Sequence, residues 1–185
     1  SLAVAKDGRL VYARGFGYAN RERKEPMRPD SLFRIASISK SFTAVATLQL
    51  IEQGKLKLDD RVFKLLPHKA HLPKGGKVDP RLNQITIAHL MRHQGGWDRG
   101  ESIDPMFHSI EIATALGKKP PAKKDDIIRF MKGWPLDFEP GTRYAYSNLG
   151  YCLLGRVIEQ TTGRGYEAYM KDAVLKPLGI TRMRT

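Results

Sequence analysis

Ser37 and Lys40 stand three residues apart, and Tyr146 and Asn148 follow about a hundred residues later as Tyr-x-Asn. A serine hydroxyl is a weak nucleophile until a neighbouring base takes its proton, and a lysine amine or a phenol held beside it can do so. The order Ser-x-x-Lys then Tyr-x-Asn therefore points to acyl transfer through a covalent serine intermediate. Either half alone says little, because a Ser-x-x-Lys arises by chance about once in a chain of this length. The surroundings of the two halves carry the reading.

The elements that must position these residues can be read from spacing. From Phe42 onward, apolar residues recur at 42, 45, 46, 50 and 51, which is helical, and Gly54 is a suitable stop. Ser37 then sits at the mouth of a helix, where free backbone N–H groups and the positive end of the helix dipole stabilise a developing oxyanion. Lys40 projects from the same face. To accept the serine proton this lysine must spend part of its time neutral, which burial or a cationic or hydrogen-bonding neighbour favours. In the second half, Pro140-Gly141 reads as a turn, Arg143 to Tyr146 as extended chain, and Leu149 to Thr162 as a helix terminated by Gly163. Tyr146 is thus expected at a strand-to-helix junction. Its phenol could shuttle the proton between serine, lysine and leaving group, while Asn148 holds the lysine amine and the substrate amide. The competing reading makes Ser147 or Asn148 a helix cap and Tyr146 the filling of a core edge. A second match, Tyr18-Ala19-Asn20, precedes the serine at the end of an expected strand and reads as structural.

Further segments extend the pattern. They are an opening strand pair, Leu2 to Lys6 and Leu10 to Asn20 around Asp7-Gly8, then Leu56 to Asp60, Ile85 to His93, Phe138 to Gly141 and Pro177 to Ile180. With the two motifs they make a chain that resembles the penicillin-recognising serine hydrolases: class C β-lactamases, serine DD-peptidases, D-aminopeptidases and family VIII-type esterases. The resemblance implies an α/β (α+β) fold of the β-lactamase/transpeptidase kind, with an antiparallel sheet opened by residues 1–30 and a mainly helical lobe over residues 31–185. It also implies roles: Ser37 as acylated nucleophile, Lys40 as its activator, Tyr146 as general base and acid, Asn148 as a contact for substrate and lysine. The resemblance implies no cofactor and a small-molecule or peptide substrate of the cell-wall-related kind, bearing an ester, amide or β-lactam carbonyl.

One part of the family pattern is missing. A later strand should carry Lys or His, a small residue, then Gly, and neither Thr161-Thr162-Gly163 nor His93-Gln94-Gly95 supplies it in the right order. The chain is therefore expected to be a piece of a longer protein, needing a C-terminal segment or a second chain to complete the sheet and the second oxyanion N–H. Loss of one such donor typically slows catalysis about a hundredfold to a thousandfold. The alternative function is accordingly a non-catalytic fragment or ligand-binding module of the same fold.

Composition narrows the classes. At 185 residues and 41% hydrophobic, with a mean hydropathy of -0.42, the chain can bury a core as a soluble domain. No apolar run approaches the ~20 residues of a membrane span. Since the sequence opens on Ser1, an export signal could have been removed upstream, so a periplasmic or secreted location is expected, with the cytoplasm still compatible. The single Cys152 rules out an internal disulfide and lies in an apolar stretch suited to a buried thiol. A net charge of +13 and pI near 10.0 raise nucleic-acid binding. However, the basic residues fall in scattered pairs and triplets without interleaved aromatics, so no specific nucleic-acid partner is expected. Such a field would attract anionic wall polymers. The pairs His89/His93 and His68/His71 have helical spacing, but no His-Glu-x-x-His and no carboxylate cluster accompany them, so no metal is expected. Between Gly95 and Lys124 the chain reads as loops around a short helix near Ile110 to Leu116. Trp97, Phe107 and Trp134 are candidates for an apolar wall beside an acyl group, and Trp97 is taken as a substrate contact.

Overall fold

The computed structural model describes residues 1–184, so Thr185, the last residue of the expected helical lobe, lies outside the described residues. The chain divides into two units, Ser1–Ala36 and the remainder from Ser37.

In the first unit, β1 (Leu2–Lys6) pairs antiparallel with β2 (Arg9–Arg14). Asp7 and Gly8 turn the hairpin with φ of 51° and 73°, the left-handed pair that matches strand twist. The expected long strand from Leu10 to Asn20 is instead broken after Arg14. A Cβ on Gly15 would stand 2.1 Å from the Met27 carbonyl oxygen, and Gly17 has φ +70°, so the chain bends where only glycine fits. Beyond the bend, β3 (Tyr18–Asn20) pairs with β4 (Glu25–Pro26) as a separate two-stranded sheet. Every residue of β1 and β2 is exposed.

The second unit is helical: α1 (Ser39–Glu52), α2 (Val62–Leu65), α3 (Ile87–Met91), α4 (Ser109–Ala115), α5 (Lys124–Met131), α6 (Asn148–Thr162) and α7 (Tyr166–Tyr169), the last continued by a π-helical turn over Met170–Leu175. The centre is α6, whose Leu149, Leu153, Leu154, Val157 and Ile158 are buried. It packs on α1, α2, α3 and α7. Burial of each such side chain contributes roughly 1.5–3 kcal/mol. Its ends are chemically marked: Ser147 Oγ accepts the Gly150 N–H at 3.1 Å, and Gly163 closes the helix at φ +66°.

α1 begins and ends close to where spacing places it, but its buried face differs in part. Of the recurring apolar residues, Ala46 and Leu50 are buried and Phe42 and Ile51 pack against the core, whereas Val45 is exposed and Thr43 and Thr47 turn inward. The two threonines tolerate burial because Thr43 Oγ1 donates to the Ser39 carbonyl at 3.3 Å and Thr47 Oγ1 to the Thr43 carbonyl at 2.9 Å. Thr43 Oγ1 also meets Tyr166 Oη at 2.7 Å, fastening α7 to α1.

α3 is short. Thr86 caps it, accepting the His89 N–H at 3.2 Å, and the chain leaves the helix at His93 with φ 57°. His89 and His93 therefore do not share a helix face as their spacing suggests. The departing strand of chain fastens the later loop: Gly96 O accepts the Asp137 N–H at 2.8 Å, Gln94 O the Gly141 N–H at 2.9 Å and His93 O the Ala145 N–H at 2.8 Å. Arg143 to Tyr146 consequently form no strand, since their bonds go to a loop of the same unit rather than to a sheet ladder.

Candidate active site

Ser37 lies in a 3-10 turn, Ala36–Ile38, that runs directly into α1. Ala36 has φ 44°, unusual for a residue with a Cβ, so the backbone just before the serine is held in a strained conformation. No side chain caps α1, so its first-turn N–H groups have no side-chain partner at the cap. One turn on, Lys40 Nζ donates to Ser37 Oγ at 3.1 Å.

Tyr146 and Asn148 arrive from the other side. Tyr146 Oη and Ser37 Oγ are 2.5 Å apart, bridging residues 109 apart in sequence. Either oxygen can donate across this contact. Asn148, the first residue of α6, accepts from Lys40 Nζ through Oδ1 at 2.7 Å and donates through Nδ2 to Asp104 Oδ2 at 2.6 Å. The Asp104 carboxylate can only accept, which orients the amide so that its oxygen faces the lysine. Asp104 is itself anchored, its other oxygen accepting the Met106 N–H at 3.2 Å at the start of the turn Pro105–Phe107. Arg99 adds a second cation, 3.8 Å from Asp104 Oδ2 and 4.9 Å from the centre of the Tyr146 ring.

The phenol is tuned by these neighbours. Burial pushes the Tyr146 pKa up, but hydrogen bonding with Lys40 and Ser37 and the charges of Lys40 and Arg99 outweigh it, and the phenol is held below its ordinary value of 10.0. Lys40 Nζ lies 4.8 Å from the ring centre, where it also meets the π face. Lys40 also donates to Ser37 Oγ and Asn148 Oδ1, both of which can accept from it. The arrangement can thus carry a proton from the serine to Tyr146 in one step, with a cation beside both oxygens.

Ser37, Lys40, Tyr146 and Asn148 are therefore brought together, while Trp97 departs from expectation. It is 2% exposed and packs edge-on against Phe63, with ring centres 6.5 Å apart. The indole is enclosed by its neighbours beside Tyr146 and Asn148. There it lines a cavity of about 10 Å³ with Arg99, Ile103, Tyr146 and Asn148. The aromatic wall does not form either: Trp134 lies against Phe130 at 5.6 Å, and Phe107 is exposed. A larger hollow of about 630 Å³, lined by Lys124, Glu159, Tyr166 and Lys171, contains none of the four reactive residues.

Sequence reasoning missed Asp104, Arg99 and His93. Asp104 before Pro105 signals only a helix start, and nothing in the spacing announces that its second oxygen holds an amide on α6. Among the described residues, no cluster of His, Cys, Asp and Glu is arranged to hold a metal, and His68 instead places Nε2 3.3 Å from Asp125. Burial raises the Cys152 thiol pKa. No helix of the described residues is long and apolar enough to cross a membrane.

A helical unit with a serine-lysine-tyrosine cluster, preceded by small antiparallel sheets, is the β-lactamase/transpeptidase-like fold. Comparison places the chain accordingly: residues 1–185 match the Beta-lactamase family, and the chain belongs to it. It is 34% identical over 180 residues to Esterase EstB of Burkholderia gladioli, covering 96% of this chain and 44% of that protein. Among solved structures, the octameric penicillin-binding protein homologue from Pyrococcus abyssi superposes with a TM-score of 0.77 at 37% identity, covering 97% of this chain and 39% of that one. EstCE1, a hydrolase with promiscuous acyltransferase activity, gives a TM-score of 0.73 at 34% identity, with 95% and 45% covered. The chain spans less than half the length of each of these proteins.

Proposed function

We propose that the chain carries the acylating machinery of a serine hydrolase that works through a covalent acyl-enzyme on an ester, amide or β-lactam carbonyl. The observation that supports this best is the 2.5 Å contact of Ser37 Oγ with Tyr146 Oη, with Lys40 Nζ 3.1 Å from the same serine oxygen. In this reading Ser37 Oγ attacks the carbonyl carbon and its proton passes to Tyr146 Oη. Tyr146 then protonates the departing alkoxide or amine as the acyl bond to Ser37 forms. Water attacks the ester so made, Tyr146 takes the water proton, and Ser37 leaves protonated with release of the acid. Lys40 holds both oxygens and favours the anionic phenol. Asn148 places Lys40 and has an amide edge suited to a substrate amide. Likeness to an esterase, a penicillin-binding protein homologue and a promiscuous acyltransferase supports a small-molecule or peptide substrate.

Intact mass before and after treatment with a serine-acylating fluorophosphonate tests this reading. One adduct on the chain and none on Ser37→Ala is the expected result. A folded chain that takes no adduct would instead favour the non-catalytic, ligand-binding alternative, and an adduct that persists in Ser37→Ala would refute the nucleophile.

We place the protein in the periplasm or outside the cell, where its charge of +13 would meet anionic wall polymers. Retention on a wall preparation should fall as salt rises, and salt-insensitive binding would count against this placement.

A further inference from the structure

Resting on the acyl-transfer reading above, we propose that His93 is the positioning residue of Tyr146, a neutral imidazole that grips the backbone on both sides of the phenol. Three contacts converge on it. The His93 carbonyl accepts the Ala145 N–H at 2.8 Å, and its Nδ1 accepts the Ser147 N–H at 3.1 Å, so the residues before and after Tyr146 are both tied to one side chain and its own backbone. Between these ties the imidazole lies against the Tyr146 ring, with centres 4.7 Å apart and planes inclined by 30°. Ser147 in turn caps α6 through Gly150, so the same grip fixes the point at which the helix bearing Asn148 starts.

His93 can do this only as an acceptor. With Nδ1 bonded to an N–H, the proton of the neutral ring resides on Nε2. The groups facing the imidazole are Lys40 from α1, Tyr151 from α6, and Tyr144 and Tyr146 from the loop. Burial first, and then the charge of Lys40, keep its protonation below the ordinary value of 6.5. A proton on Nδ1 would set two donors against each other at Ser147 and place a second cation beside Lys40. The tie breaks, and Tyr146 is free to leave the serine. The backbone at His93, with φ 57°, adds a constraint that asparagine meets better than most residues. Asparagine also puts Oδ1 where the imidazole has Nδ1.

The test uses His93→Asn and His93→Ala with the same fluorophosphonate, followed by NMR of the wild-type chain. His93→Ala should slow Ser37 acylation by about a hundredfold, the scale of loss for a misplaced reacting group. His93→Asn should restore most of that rate and lack the additional fall, below 6.5, that wild type shows as His93 protonates, while keeping the fall set by Tyr146. In the wild-type spectrum, the Ser147 amide should shift with the same midpoint as the His93 ring protons. An unmoved Ser147 amide across that titration, or a fall with the His93 midpoint that persists in His93→Asn beside the one set by Tyr146, would overturn the proposal. The NMR readout needs no acylation, so it decides the role of His93 even where an unlabelled wild-type chain has already refuted the acyl-transfer reading.

Discussion

The two halves of the site are held in different ways. Ser37 and Lys40 are positioned by the start of one helix: a 3-10 turn leads into α1, and a single turn of backbone brings Nζ within 3.1 Å of Oγ. Tyr146 and Asn148 are positioned by contacts from elsewhere in the chain. The loop before α6 is tied to His93, Gln94 and Gly96, and Asn148 is oriented by Asp104. Arg143 pins the same loop through Asp98 at 3.0 Å and Glu101 at 2.6 Å. A locally built half resists distant substitutions, whereas a half assembled from non-local bonds can lose its geometry while the protein stays folded.

Substitutions can separate these behaviours, and the largest effect is expected within the reactive pair. Tyr146→Phe keeps the ring against His93 and deletes the oxygen, so acylation of Ser37 should slow by roughly 10²–10⁴-fold, the usual worth of a positioned acid or base. Thermal melts of the same variant should show little change, and a collapse of the fold would break the distinction between site and scaffold. Leu153→Ala, within the buried face of α6, should lower stability by about 2–5 kcal/mol in urea unfolding. Because both halves rest on that core, it tests the scaffold they share.

Asp104→Asn is expected to act on the non-local half alone. An amide facing the Asn148 Nδ2 no longer guarantees an acceptor, so Lys40 loses its fixed partner and acylation should drop by about tenfold, the cost of roughly one hydrogen bond. A rate equal to wild type would show that α1 positions Lys40 unaided. The smallest effect is expected at Val45→Ala on the exposed face of α1, within about 0.5 kcal/mol by urea unfolding. A larger loss would mean that the face is covered in solution.

Stability should also respond to acid through the histidines. Burial is the leading cause that lowers the pKa of both His89 and His93 from 6.5. The unfolded chain therefore takes up these protons first, so stability is full above that value and declines as pH falls through it. Urea unfolding across that range checks the sign.

The helices that carry the site were legible because their ends are written in residue chemistry. Gly54 and Gly163 stop α1 and α6, and Ser147 caps α6 beside the Tyr-x-Asn that it interrupts. The contact of Ser37 with Tyr146 was legible from the order of the two motifs and the family resemblance they carry. The buried face of α1 was read only in part, because Thr43 and Thr47 count as polar until their hydroxyls are seen bonded to the preceding turn. Tyr146 was expected at the end of a strand because extended backbone in sequence does not reveal its partner, and its partner is the His93 loop. Trp97 was expected at the surface of a cleft, whereas large aromatics gain most when buried whole. The break in the first unit needed knowledge that Met27 passes against Gly15, a contact no periodicity encodes.

If Tyr146 takes the proton of Ser37, the pH dependence of Ser37 acylation must follow the titration of the phenol. Wild type should accelerate as pH rises and level off below the ordinary phenol value of 10.0, because the phenol is held below it. Tyr146→Phe should acylate slowly with that rise gone. The same rise persisting in Tyr146→Phe, with the adduct still on Ser37, would contradict the account and assign the proton transfer to another group.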